Sequence, residues 1–158
     1  MSPAYAHIGC CIDDSPSADR ALDAAVALWR ASQGRLSLVH AGPFPLEVQT
    51  IDCVSVFRRT DLNAGARRWL RRRVRDVPQA EPVFLQGVRG PAVCAWAEGA
   101  CADLLVVGAG SGRMPGIRPG GFVHHLVEHA PCPVLVVRPP APSVAGEEPR
   151  ALAVNAPF

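Results

Sequence analysis

The sequence contains no lysine; all 16 of its basic residues are arginine. That absence excludes Schiff-base chemistry and the phosphate-gripping lysine of a P-loop. No apolar run approaches the roughly 18 residues that would span a bilayer. Met1–His7 lacks the positive flank and long apolar core of a signal peptide, so the chain is expected in the cytoplasm, without a membrane partner. The net charge is only +2, which gives no basic field for nucleic acid. Cys10, Cys11, Cys53, Cys94, Cys101 and Cys132 show no CxxC or zinc spacing, and most lie in apolar stretches. They are expected to be reduced and buried, and no intrinsic metal site is expected. A catalytic constellation is missing too: Asp13 and Asp14 are adjacent, so their side chains diverge at a strand end. His125 and His129 stand four apart, as metal ligands can, but only Glu128 is near, on another face; they read as surface or interface histidines.

What is present is globular. A chain of 158 residues, 49% hydrophobic, has room for one domain with a sizeable core. Tyr5–Ile12 is an apolar run suited to a strand buried on both faces. Asp13-Asp14-Ser15-Pro16 breaks it, with Ser15 or Ser17 able to cap a helix and Pro16 in its first turn. Apolar residues at three- and four-residue spacing predict that helix over Ser17–Ser32, ended by Gly34. Strands are predicted at Leu36–Ala41, Pro82–Gly87, Ala102–Gly108 and Pro133–Arg138. Between them, helices are predicted from Leu62 to near Pro78, over Pro91–Ala100 and over Gly121–His129, the last turning Phe122, Val123, Leu126 and Val127 inward. Arg67, Arg68, Arg71, Arg72, Arg73 and Arg75 form a polar helix face rather than a nucleic-acid patch. The domain is taken as 1–138, and the proline-rich stretch 139–158 reads as a disordered tail. Alternating strands and helices imply a parallel sheet with helices on both faces, an α/β, doubly wound, Rossmann-like arrangement. Ligands in such sheets bind beyond the carboxyl ends of the strands, at the switch point of strand order.

Two segments at carboxyl ends are unlike ordinary turns: Asp13–Ser17 and Gly108–Gly121. The second holds six glycines. Glycine permits positive φ and lets backbone N–H groups approach a ligand, and a helix starting at Gly121 would aim its free amides at the loop. Without lysine it is no Walker loop. Arg113 occupies the third glycine of a GxGxxG reading, and Ala109 and Arg113 flank Ser111 where a nucleophile elbow needs glycine. The two readings left are an anion-binding loop and a flexible connection without a ligand.

Ile12-Asp13-Asp14-Ser15-Pro16-Ser17, Leu38-Val39-His40-Ala41, Gly90-Pro91-Ala92, Ala102–Gly108 and His129–Val137 together resemble the universal stress protein family. The resemblance spans roughly Tyr5 to Arg138. It implies a five-stranded parallel sheet ordered 3-2-1-4-5 and a homodimer paired along the last strand, Pro133–Arg138. One branch of that family binds ATP through G-x2-G-x9-G-[ST]; another lacks the motif and does not. Here Gly108 matches the first glycine, and Gly120 the third when anchored on Ala130-Pro-Cys-Pro. Gly121 then stands where the motif has Ser or Thr, and the loop is one residue short. The middle glycine falls on Ser111, Gly110 or Gly112. Losing the hydroxyl removes one hydrogen bond, about 0.5–1.5 kcal/mol, or up to about 3 to a charged group.

The resemblance makes Asp13, Ala41, Gly108, Ser111, Gly112, Arg113, Gly120, Gly121 and Phe122 the candidate nucleotide-binding residues. Asp13 has two readings, acceptor for a ribose hydroxyl or helix N-cap. Arg113 and Arg118 are read either as phosphate partners that replace the hydroxyl or as solvated loop residues. The function implied is a dimeric, stress-associated module that binds ATP, ADP or AMP and does not turn it over, with Mg²⁺ entering only through the phosphates. A nucleotide-free interaction protein of the same fold is the alternative, and a slow ATPase a third class without an evident general base.

Overall fold

A computed structural model of the chain describes residues 4–42, 62–110 and 121–140. Among the described residues nine elements alternate: β1 (His7–Cys11), α1 (Pro16–Ser32), β2 (Arg35–Gly42), α2 (Leu62–Arg75), β3 (Glu81–Gln86), α3 (Arg89–Gly99), β4 (Leu104–Gly108), α4 (Gly121–His129) and β5 (Val134–Val137). The five strands form one parallel sheet in the order β3-β2-β1-β4-β5. This is the doubly wound order that the resemblance implies. The switch point lies where β1 sends one connection to β2 and its other neighbour is β4.

Two hydrophobic layers cover the sheet, divided by the two-residue period of the strands. Ile8, Cys10 and Ile12 of β1 and its end, with Leu104 and Val106 of β4, pack under α1 and α2. Cys11, Leu105 and Val107 point the other way, under Val93 and Ala97 of α3 and Val123 and Leu126 of α4. A strand buried on both faces has no polar side, so β1 is buried at every position and its sequence shows no alternation.

Several local devices set the frame. Ser15 caps α1: its extended backbone starts the helix, and its Oγ accepts from the Ala18 amide at 3.3 Å. Gly34 does not end α1 through its own conformation, as expected from sequence. Gln33 takes the left-handed position (φ 57°) and its amide donates to the Trp29 carbonyl at 2.8 Å. Gly34 is needed for a different reason, since a Cβ there would stand 2.3 Å from the Tyr5 carbonyl oxygen. The Asp103 carboxylate accepts from the amides of Ala6 (2.8 Å) and His7 (3.1 Å), tying the start of β4 to that of β1. Beside it, the buried His7 ring bonds Ser37 Oγ at 2.8 Å and the Ala100 carbonyl at 3.0 Å.

The inward stripe of α4 differs from the expected one. Val123 and Leu126 are buried, but Val127 is 61% exposed. His125 takes the fourth place instead, half-buried against Gly90 of α3; a Cβ on Gly90 would lie 2.4 Å from the imidazole Cδ2. His125 also stacks on His129, ring centroids 4.4 Å apart. α3 begins at Arg89, two residues before Pro91, so the proline sits inside the first turn, where its missing N–H costs nothing. Among the described residues no helix is long and apolar enough to cross a membrane. Residues 141–158 lie outside the described residues, and so does the expectation about the tail.

Candidate functional site

A cleft of about 170 Å³ opens at the carboxyl ends of β1, β2 and β4. Its floor and walls are apolar: Cys11 and Ile12 from β1 and its end, Val39 and Ala41 from β2, Val107 from β4, Val93 from α3, and Phe122 and Val123 from α4. Asp13, Ser17, Ala18, His40, Arg89, Gly108 and Gly110 complete the lining, with Asp13 and Arg89 exposed at its edge. An apolar slot with a few polar groups at its edge suits a flat, partly polar small molecule. Burial pushes the Cys11 thiol up to about 12, with the neighbouring Cys94 and Cys132 thiols acting in the same direction. At neutral pH Cys11 is therefore a neutral, apolar piece of floor and not a nucleophile. Among the described residues no three His, Cys, Asp or Glu side chains converge as metal ligands would.

The two readings of Asp13 separate here. Ser15 is the cap of α1, so Asp13 is not; it stands exposed on the rim with its Oδ1 accepting from Ser15 Oγ. Ser15 Oγ also lies 2.9 Å from Ser17 Oγ, and this hydroxyl pair holds the turn that presents the carboxylate. The second oxygen, Oδ2, has no part in that contact.

Of the other candidates, Ala41, Gly108 and Phe122 line the cleft with Asp13. Gly121 opens α4 but is not among the lining residues, and no described atom lies within 4 Å of where its Cβ would be. Gly108 serves packing as well as the cleft: a Cβ there would stand 2.4 Å from the Ser17 carbonyl oxygen. The left-handed glycine of the described loop is Gly110, at φ 80°. Ser111, Gly112, Arg113, Arg118 and Gly120 lie outside the described residues.

Sequence reasoning missed Arg89. It opens α3 just beyond the turn after β3, another carboxyl-end connection, where Gly87 adopts φ 138°. The switch-point rule pointed to such turns, but a single arginine there has no local pattern to mark it.

The profile of the universal stress protein family matches residues 4–138, and the chain belongs to that family. A universal stress protein of Thermus aquaticus, encoded in the QAH/OAS sulfhydrylase 3′ region, is 34% identical over 128 residues, covering 80% of this chain and 93% of the relative. Among solved structures, a universal stress protein in complex with cAMP is 25% identical with a TM-score of 0.66, over 85% of this chain and 98% of that one. The universal stress protein from Archaeoglobus fulgidus in complex with dAMP is 19% identical with a TM-score of 0.64, over 84% and 97%. At that lower identity the likeness speaks for the fold.

Proposed function

We propose that this protein is an adenine-nucleotide-binding module that works as a homodimer through conformation rather than turnover. The observation that carries the reading is the cleft itself, apolar in its depth and polar at its rim, at the switch point of the sheet. The base would occupy the slot between Val39, Ala41 and Val93. Asp13 Oδ2 would accept from a ribose hydroxyl, and the phosphates would lie toward the start of α4, with Mg²⁺ as their counter-ion only. The cAMP held by a relative of the same fold and 25% identity supports an adenine nucleotide as the ligand class. The β5 strand is the end of the sheet, and Leu135 on it is 39% exposed, which suits pairing with a second copy.

Purified protein is expected to release an adenine nucleotide on denaturation, or to bind ATP, ADP or AMP by calorimetry, and to return added ATP unhydrolysed. Its mass in solution should be that of a dimer. A chain that carries and binds no nucleotide would remove the reading.

One observation favours a second reading, a nucleotide-free interaction protein: the Ser/Thr position of the motif is Gly121. The space around that position separates the two. Because no described atom blocks a Cβ there, Gly121→Ser should be accommodated, and serine is a good helix-start residue. If nucleotide binds, the added hydroxyl is expected to tighten ATP about 2- to 10-fold, measured by calorimetry against wild type. A nucleotide-free protein would gain nothing measurable from one hydroxyl.

A further inference from the structure

The reading above gives the cleft its apolar walls and its acceptor, Asp13, but leaves the ligand's negative charge to the start of α4, whose motif hydroxyl is absent. Arg89 supplies a positive charge to the same cleft. Among the described residues lining the cleft it is the one arginine, and it faces the cleft from the first position of α3. The first turn of α3 carries no acidic residue, and among the described residues no carboxylate forms an ion pair with Arg89.

Its position is held. Gly90, the next residue, is packed so closely on the His125 ring that no Cβ fits between them. The start of α3 therefore packs against α4 through Gly90 and His125, and Arg89 shares the cleft lining with Phe122 and Val123 of α4. Asp13 lines the same cleft from the turn between β1 and α1. The lining thus combines an acceptor with a permanent cation. A neutral ligand would leave that cation without use, whereas a phosphate oxygen pair matches the parallel donors of a guanidinium.

We infer that Arg89 binds the phosphate of a nucleotide held in this cleft and makes the cleft select nucleotides over nucleosides. The inference rests on the adenine-nucleotide reading above and adds the group that reads the charge. Arg89 is exposed, so its substitution leaves the core intact, and it is reached through the α3–α4 contact rather than through any motif.

The test titrates AMP and adenosine into wild type, Arg89→Ala and Arg89→Lys, with thermal unfolding as the check on folding. Wild type is expected to bind AMP more tightly than adenosine. Arg89→Ala should weaken AMP roughly 10- to 100-fold and adenosine less than about threefold, and Arg89→Lys should recover part of the AMP affinity. Raising salt should weaken AMP binding in wild type and much less in Arg89→Ala. Unchanged AMP affinity in Arg89→Ala, or equal losses for AMP and adenosine, would overturn the assignment of Arg89 while leaving the nucleotide reading standing. If wild type binds neither AMP, ATP nor adenosine, the nucleotide reading falls and takes this inference with it.

Discussion

Gly108→Ala is expected to destabilise the protein and to weaken any cleft ligand together. The added methyl would lie 2.4 Å from the Ser17 carbonyl oxygen and 2.6 Å from its carbon, both backbone atoms of the first turn of α1. Backbone cannot rotate aside as a flexible side chain can, so either β4 shifts from β1 or α1 lifts. Such overpacking costs about 2–3 kcal/mol, which for a domain of this size lowers Tm by roughly 5–10 °C. The same displacement moves the Asp13–Ser15–Ser17 turn on the rim, so ATP affinity should fall by about tenfold or more, the loss depending on how far α1 lifts. Gly110→Ala is the control. No described atom lies within 4 Å of where its Cβ would be, so among the described residues its φ of 80° alone opposes a side chain, and about 1 kcal/mol is expected. Differential scanning calorimetry of both variants decides the matter. A Gly108→Ala melt within 1 °C of wild type would show that glycine is not there for the Ser17 contact.

The case of Gly108 shows which parts of the molecule were legible in the residues. Element order was legible because each strand is a short apolar run bounded by Gly, Pro or Asp, and α4 was placed residue for residue as Gly121–His129. Strand ends were less so. β1 spans His7–Cys11, where Tyr5–Ile12 was expected, because its limits are set by pairing with β2 and β4 and not by its own composition. The identity of inward-facing residues failed where a neighbouring element decides it. Val127 fits an apolar stripe, yet the groove at Gly90 admits His125 and rotates α4 so that Val127 faces out.

The site divides along the same line. Asp13, Ala41, Gly108 and Phe122, which the sequence offered through motifs near the carboxyl ends of strands, do line the cleft. Arg89, Val93 and the Cys11 floor were not offered, because only the crossover of α3 over the sheet brings them to the same opening. Asp103 is a parallel example. In the sequence it is part of a family signature, and in the fold it is the carboxylate that receives two amides from the start of β1. In this chain its role is a hydrogen-bonding one at the amino ends of β1 and β4, opposite to the cleft.

Ala41→Trp should abolish nucleotide binding while leaving the fold in place, and it tests the cleft independently of the loop and of Arg89. Ala41 is half-buried on β2, paired with Leu85 of β3, and belongs to the layer under α3 and α4. Ala41 lines the cleft together with Val39 and Val93, so an indole built there is expected to enter the open space of about 170 Å³. Filling empty space avoids the strain of overpacking, and stability should change by less than about 1 kcal/mol. The slot for the base is then occupied, and affinity for ATP, AMP and adenosine alike should fall by about 100-fold or more. This uniform loss differs from that of Arg89→Ala, which spares adenosine, and from that of Gly108→Ala, which comes with a lowered Tm. Undiminished binding in a folded Ala41→Trp variant would place the ligand elsewhere, because no flat heterocycle can share that slot with an indole.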